Sequence, residues 1–304
     1  MNRIEIIEKI KKFNEEIHRE NYQHLIGLKD ELNETKIYEK YKDIFTKENI
    51  KFLQKLLEES SGIDKRKNNY LLSYLISNYV GLKISKISDE AAMYEARATV
   101  KIDGKEIPFR GLRKIVAEEP SKEKRDRIYE IERPVKQKLL QYSIKLLKED
   151  LKIISQLGYK DYIKMNQSLK EVDYQRLMET LKPFLIDTDY EYTKLVNKLL
   201  KKYNIEPSKA TNNDFVYMAR SPQFDEFFTK EKLVETLKKT LLGLGFNLDK
   251  QKNIELDIED REKKVPRAFM MHIKIPEEIK LVIKPHGGHD DYNSMLHEAG
   301  HCEH

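Results

Sequence analysis

A mainly α fold of the α+β class is predicted for this 304-residue chain, and three observations carry it. Apolar residues recur at helical spacing through most of the first 200 positions. The period switches to strand-like alternation in two short places, near 98–109 and 254–283. Helical spacing then returns in the final stretch. Composition agrees, with 39% apolar and 36% charged residues and only 11 Gly and 9 Pro, a balance that is neither collagen-like nor disordered. The expected organisation is a helical N-terminal region over 1–205 carrying a small hairpin. Residues 206–304 would then hold a short antiparallel sheet and a closing helix.

Each element has a local reason. Residues 2 to about 34 read as one or two amphipathic helices, with Ile4, Ile7, Ile10 and Phe13 at intervals of three. A second helix is expected from Lys47 to Glu59 on Ile50, Leu53, Leu56 and Leu57, ended by Ser60-Ser61-Gly62. Tyr70 to Val80 is dense in aromatic and aliphatic residues and reads as a buried helix. Val100 and Ile102, then Asp103-Gly104, then Ile107 and Pro108, form a hairpin signal, with the proline confining its strand to an edge. A long helix is expected to begin at Pro134, which fits a first turn, and to close at Gly158. Further helices are expected at Tyr174–Leu181, ended by Pro183, at Tyr190–Tyr203 and at Lys230–Leu244. Gly243-Leu244-Gly245 follows a helix and lacks a third glycine, so it is not a dinucleotide fingerprint. Ile254, Leu256 and Ile258 alternate, and Ala268–Ile273 and Ile279–Ile283 follow as extended runs. The Pro276-Glu277-Glu278 turn between the last two suggests an antiparallel pair.

Charge and cysteine usage exclude several classes. The net charge is +5, but 57 cations and 52 anions are interleaved, and clusters such as Lys65-Arg66-Lys67 and Lys201-Lys202 are short. Solvated helix faces are expected, and no nucleic-acid partner. Cys302 is the sole cysteine, so no internal disulfide forms, in keeping with a reducing compartment. No run approaches 18 apolar residues and the N-terminus is charged, so the expectation is a cytoplasmic chain with no membrane partner.

The chemistry is concentrated at the tail. Six of the eight histidines fall in the last 33 residues, among them the H-E-x-x-H run His297-Glu298-Ala299-Gly300-His301. On a helix, positions i and i+4 share a face, so His297 and His301 can hold one zinc ion, with Glu298 placed as general base. Given this composition, chance would supply roughly 0.02 such matches. The apolar run Ile279–Ile283, the Pro285-Gly287-Gly288 punctuation and an N-cap at Asp290 or Asp291 place the motif on a strand–turn–helix. Tyr292, Met295, Leu296 and Ala299 form its apolar stripe. Cys302 lies about 100° round the helix from His301 and reads as a bystander. His272, His286 and His289 each read more readily as packing or loop residues than as ligands. His304 shares the face of His297 and His301 and so could approach the metal.

The extended tail, Pro285-His286-Gly287-Gly288-His289-Asp290-Asp291 through His297-Glu298-Ala299-Gly300-His301-Cys302-Glu303-His304, reads H-E-x-G-H-x-x-H with an upstream His-Asp pair. It resembles the thimet oligopeptidase and oligoendopeptidase F family of zinc metallopeptidases. Pro266-Arg267-Ala268-Phe269 and the strand after it resemble the stretch before the metal helix in that family. Leu157-Gly158-Tyr159-Lys160-Asp161-Tyr162 and the helical region resemble its N-terminal part more loosely. The resemblance implies a mostly helical bowl with a channel admitting short peptides, and an incomplete zincin-type catalytic domain in residues 206–304. His297 and His301 would be zinc ligands, with Glu298 as general base. The third ligand in that family is a Glu on a later helix, and Tyr and His residues further on stabilise the oxyanion. The family's chains are also about twice as long. The expectation is therefore an N-terminal portion of an enzyme, partnered by the remaining half. A third ligand to the zinc has no counterpart here.

The function expected is zinc-dependent hydrolysis of peptide bonds in short peptides, with the strand Ile279–Ile283 pairing with the extended substrate. The alternative is a non-catalytic helical interaction module, or an inactive fragment with a vestigial half-site. For a fragment, apolar residues left unusually exposed would be expected.

Overall fold

A computed structural model describes all of residues 1–304. The chain is mainly α, as expected. In order it forms α1 (Arg3–Leu25), α2 (Glu34–Lys40), α3 (Lys47–Glu58), α4 (Gly62–Arg97), β1 (Thr99–Ile102), β2 (Lys105–Pro108), α5 (Leu112–Glu118), α6 (Lys122–Gln156), α7 (Tyr162–Lys170) and α8 (Tyr174–Lys202). There follow α9 (Asn212–Arg220), α10 (Leu233–Gly243), β3 (Ile254–Asp257), β4 (Phe269–Lys274), β5 (Glu278–Val282) and α11 (His289–Glu303). No helix is long and apolar enough to cross a membrane.

The residues gather into two compact units. The first comprises Met1–Phe13, Asn33–Ala91 and Lys138–Asn204. Phe13 centres its core, with ring centroids 5.1 Å from Tyr38, 5.7 Å from Tyr41 and 4.8 Å from Phe45, all tilted or edge-on as ring quadrupoles prefer. In this unit the buried stripe of α1 is Ile6, Ile10 and Phe13, at helical spacing, whereas Ile4 is exposed. Thr46 caps α3 by accepting a hydrogen bond from Asn49 N at 3.2 Å, and Asp161 and Asp173 do the same for α7 and α8. Within α4, Leu72, Leu75, Ile76, Tyr79 and Val80 are buried as the aromatic run suggested, but Tyr70 faces solvent.

Two prolines do not act as the sequence suggests. Pro134 lies inside α6 and does not begin it, and Pro183 lies inside α8 and does not end its first part. Each removes one backbone donor and crowds the preceding turn, a cost of about 3 kcal/mol that long helices of Leu, Lys, Glu and Met absorb. Much of α8 is apolar yet uncovered: Phe184, Leu185 and Ile186 are each at least 60% exposed, and Leu200 is the only buried position in 29. Leu140, Ile144, Leu147 and Leu151 form a similar exposed stripe on α6.

The second unit comprises Asn14–Leu32, Ala92–Gln137 and Ile205–His304, so residues 206–304 fall wholly within it alongside two earlier segments. The β1–β2 hairpin is antiparallel and turns at Asp103 and Gly104, whose φ values of 49° and 80° are those the Asp-Gly pair predicts. A buried ion pair joins the start of α6 to α9: Arg125 donates through Nε to Asp214 at 3.0 Å and stacks over Tyr217. Asp214 also closes the capping box of α9 with Thr211.

The second sheet has the order β3-β5-β4. It is mixed, not antiparallel throughout: β4 pairs antiparallel with β5, but β3 pairs parallel with it. The loop between β3 and β4 is pinned by Lys264. Its buried ammonium reaches Asp257 Oδ1 at 2.7 Å and the carbonyls of Asp257, Glu259 and Ile283 at 3.0, 3.0 and 2.9 Å. One side chain thus ties the end of β3 to the end of β5, where the chain departs for α11.

Candidate metal centre

The helix α11 is built to show one face and bury the other. Tyr292, Met295, Ala299 and Cys302 pack against Leu281, Ile279 and Ile283 of the sheet and Leu233, Leu237 and Leu241 of α10. This is the stripe read from the sequence, with Cys302 added to it. Burial pushes the Cys302 thiol up to about 12, so it stays protonated in the core. His297 and His301 consequently point to solvent.

The start of α11 is held by backbone that only glycine adopts. Gly288 is the residue preceding the helix, at φ 94° and ψ 164°, and neither Asp290 nor Asp291 occupies the cap position suggested by sequence. Asp291 instead reaches back from the first turn, accepting hydrogen bonds from His286 N at 2.5 Å and Gly287 N at 2.7 Å. Burial raises its pKa. The Arg220 guanidinium, forked onto Asp225, lies where a Cβ on Gly288 would fall. Tyr292 donates its hydroxyl hydrogen to Thr229 O at 2.6 Å and fixes the rotation of the helix.

Within this frame the two motif histidines converge. Their Nε2 atoms are 3.2 Å apart, with ring centroids at 4.7 Å and planes at 88°. Two nitrogens each at ~2.0–2.1 Å from a tetrahedral zinc would stand roughly 3.3 Å apart, so the pair fits two corners of such a site. Glu298, one residue on and half-buried, accepts a hydrogen bond from Met270 N of β4 at 3.0 Å through one carboxylate oxygen. The other oxygen is left for a ligand or water.

The remaining histidines are held elsewhere. His286 receives Lys114 Nζ at 3.2 Å on Nδ1, and burial followed by that neighbouring charge lowers its pKa. His289 stands edge-on to Phe228. His272 is in edge contact with His18, whose Nδ1 donates to His272 O at 2.7 Å. No group of three or more His, Cys, Asp or Glu is arranged to hold a metal ion, so His304 does not join the pair as a third ligand. A catalytic zinc takes three protein ligands, one more than this histidine pair would offer.

The strand expected from the sequence to pair with a peptide, Ile279–Ile283, has no free edge: β5, which includes most of it, is flanked on both sides. Ile279 N and Ile283 N donate to Asn253 O and Asp257 O across the β3 side, which leaves Lys280 and Val282 to bond β4 through their register partners Met271 and Phe269. By the alternation of a ladder, Met270 and His272 therefore present their backbone groups on the open edge of β4. Glu298 holds the Met270 N–H and His18 the His272 carbonyl, and the Met270 carbonyl and His272 N–H are left unbonded. No side-chain pattern signals a backbone amide, so only the fold shows this arrangement.

No protein-family model matches the chain, and no curated protein matches it.

Proposed function

We propose that residues 206–304 carry the two-histidine part of a zinc-dependent peptidase site for short peptides. His297 and His301 would be the ligands and Glu298 the general base. The observation that carries this reading is the convergence of two exposed Nε2 atoms to 3.2 Å beside a carboxylate with one oxygen anchored and one free. Zinc, when bound, supplies Lewis acidity that acidifies water and polarises a carbonyl. Glu298 accepts the proton of the attacking water on its free oxygen, while the Met270 amide keeps the carboxylate from rotating away. The open edge of β4 holds the peptide extended through the Met270 carbonyl and the His272 N–H, at a fixed distance from Glu298. The third ligand and the oxyanion donors are assigned to further polypeptide, as in the family the tail resembles.

Zinc titration tests the ligand pair. Binding near one equivalent that falls at least tenfold in both His297→Ala and His301→Ala supports it, and affinity unchanged in either variant removes it. Peptide hydrolysis lost in Glu298→Gln, with zinc binding retained, tests the base.

The exposed apolar faces of α6 and α8 favour a second reading, a helical interaction module. It predicts concentration-dependent association that Leu185→Lys with Ile144→Lys abolishes. A monomer at all concentrations would eliminate it.

A further inference from the structure

Two arginines near the start of β4 have no settled partner. Arg267, two residues before the strand, is exposed and makes no ion pair or hydrogen bond. Arg110 follows β2 in the turn Phe109–Gly111 and is withdrawn from water, its side chain 18% exposed. Its nearest carboxylate, on Glu95, is 3.8 Å away, beyond hydrogen-bonding distance. Its only other polar contact is His24 Nε2 at 3.5 Å, which is free to accept because His24 Nδ1 donates to Lys29 O at 3.2 Å. A guanidinium carries five donors in a planar fork shaped for a carboxylate, and this one is largely desolvated with that fork unmatched.

The fold brings the second arginine to the first. Val265 N donates to Leu25 O at 2.9 Å, so the chain entering β4 passes beside His24 and hence Arg110. The charge of Arg267 disfavours protonation of Arg110, adding to the larger effect of burial, while Glu95 opposes both. Two like charges thus share a corner with one loosely placed carboxylate, an arrangement an added anion would relieve.

That corner lies at the N-terminal end of the open β4 edge. A peptide antiparallel to β4 would run its C-terminal end toward Arg267. A parallel one would bring its N-terminal ammonium against two cations. We propose that Arg110 and Arg267 form a carboxylate-binding corner that orients a bound peptide antiparallel to β4 and takes either its C-terminal carboxylate or an acidic side chain near that end. The inference rests on the reading of β4 as the peptide-binding edge. Arg267 lies three positions before Met270, roughly 10 Å of extended chain. The carboxylate is therefore expected three or four residues beyond the bond that faces Glu298.

The test is equilibrium binding to the 304-residue chain without zinc, so that it does not depend on turnover. The probes are alanine-rich pentapeptides with an N-terminal fluorophore: a free acid, its C-terminal amide, and amides bearing Glu or Gln at the fourth position. The free acid or the Glu amide should bind about tenfold or more tightly than its neutral counterpart, as charge-assisted hydrogen bonds require. Which of the two shows the preference identifies the carboxylate's source. The preference should vanish in Arg267→Gln, an exposed position that spares the fold, and shrink in Arg110→Gln. Equal affinity for all four peptides, no binding of any, or a preference that survives Arg267→Gln would overturn the proposal. Loss of zinc binding in His297→Ala is measured separately, so either idea can fail without the other.

Discussion

Replacing Gly288 by alanine should loosen α11 more than any other single-methyl change in the chain, and the structure supplies the magnitude. At φ 94° and ψ 164° the residue sits in a region essentially closed to side chains, which costs about 1–3 kcal/mol. The added Cβ must also displace the Arg220 guanidinium from its fork on Asp225. Because Asp225 is well exposed, that loss is discounted to about 1 kcal/mol. The sum is near 3 kcal/mol, about two orders of magnitude in the opening equilibrium of the segment 286–303. Gly300 is the internal control: it lies in the same helix with nothing within 4 Å of where a methyl group would sit, and alanine there should stabilise by about 0.5–1 kcal/mol. The chain has no tryptophan, so urea unfolding is best followed by far-ultraviolet circular dichroism, with hydrogen exchange reporting on the α11 amides. The reasoning fails if Gly288→Ala leaves both the midpoint and the α11 protection at wild-type values, or if Gly300→Ala is equally damaging.

Met270→Pro removes the amide that anchors Glu298 without breaking a ladder bond, since that amide faces the open edge. In the enzyme completed by further polypeptide, peptide turnover should fall at least tenfold with zinc affinity preserved, and a rate equal to wild type would refute the anchoring role. Cys302 should resist thiol reagents at pH 7 in the folded chain and react fully in urea, because it is buried and its thiol is held protonated. Fast native labelling would contradict its placement. His18, His24 and His286 all have pKa values lowered by burial, so the unfolded chain binds protons first as pH falls. Stability should be full above about pH 7.5 and decline below about pH 6.5 toward their depressed folded values, an effect weakened by His286→Gln. Asp291, whose pKa is raised, acts with the opposite sign, losing its contribution as pH rises through the carboxylate range. A urea midpoint constant between pH 7.5 and 5.5 would refute the histidine account.

How much of this was legible in the sequence depended on how local its causes are. The Asp103-Gly104 turn and the apolar stripe of α11 are set within a few residues, and the structure follows them. Pro134 misled because its neighbours settle the outcome: Arg125 anchors the first turn of α6 to Asp214 and to the carbonyls of Glu119 and Pro120, and buried Ile128 and Val135 carry the helix past the proline. Strand order escaped for a similar reason. Alternation in Ile254, Leu256 and Ile258 marks an extended segment but not its neighbour, which is decided by Lys264 gathering the ends of β3 and β5. At the site, the spacing of His297, Glu298 and His301 was readable, whereas the amide of Met270 and the imidazole of His18 arrive from distant positions.

The uncovered flank of β4 carries a consequence for the protein at rest. Unsatisfied strand edges invite a second molecule to add itself, the first step toward fibrillar association. Here a carboxylate and an imidazole already occupy two of the four outward-facing main-chain groups. Neither belongs to a strand, so neither can be extended into a larger sheet. The contacts of Glu298 and His18 therefore also act as a guard rail, and a ligand that displaced His18 from its carbonyl would leave that group open to self-assembly.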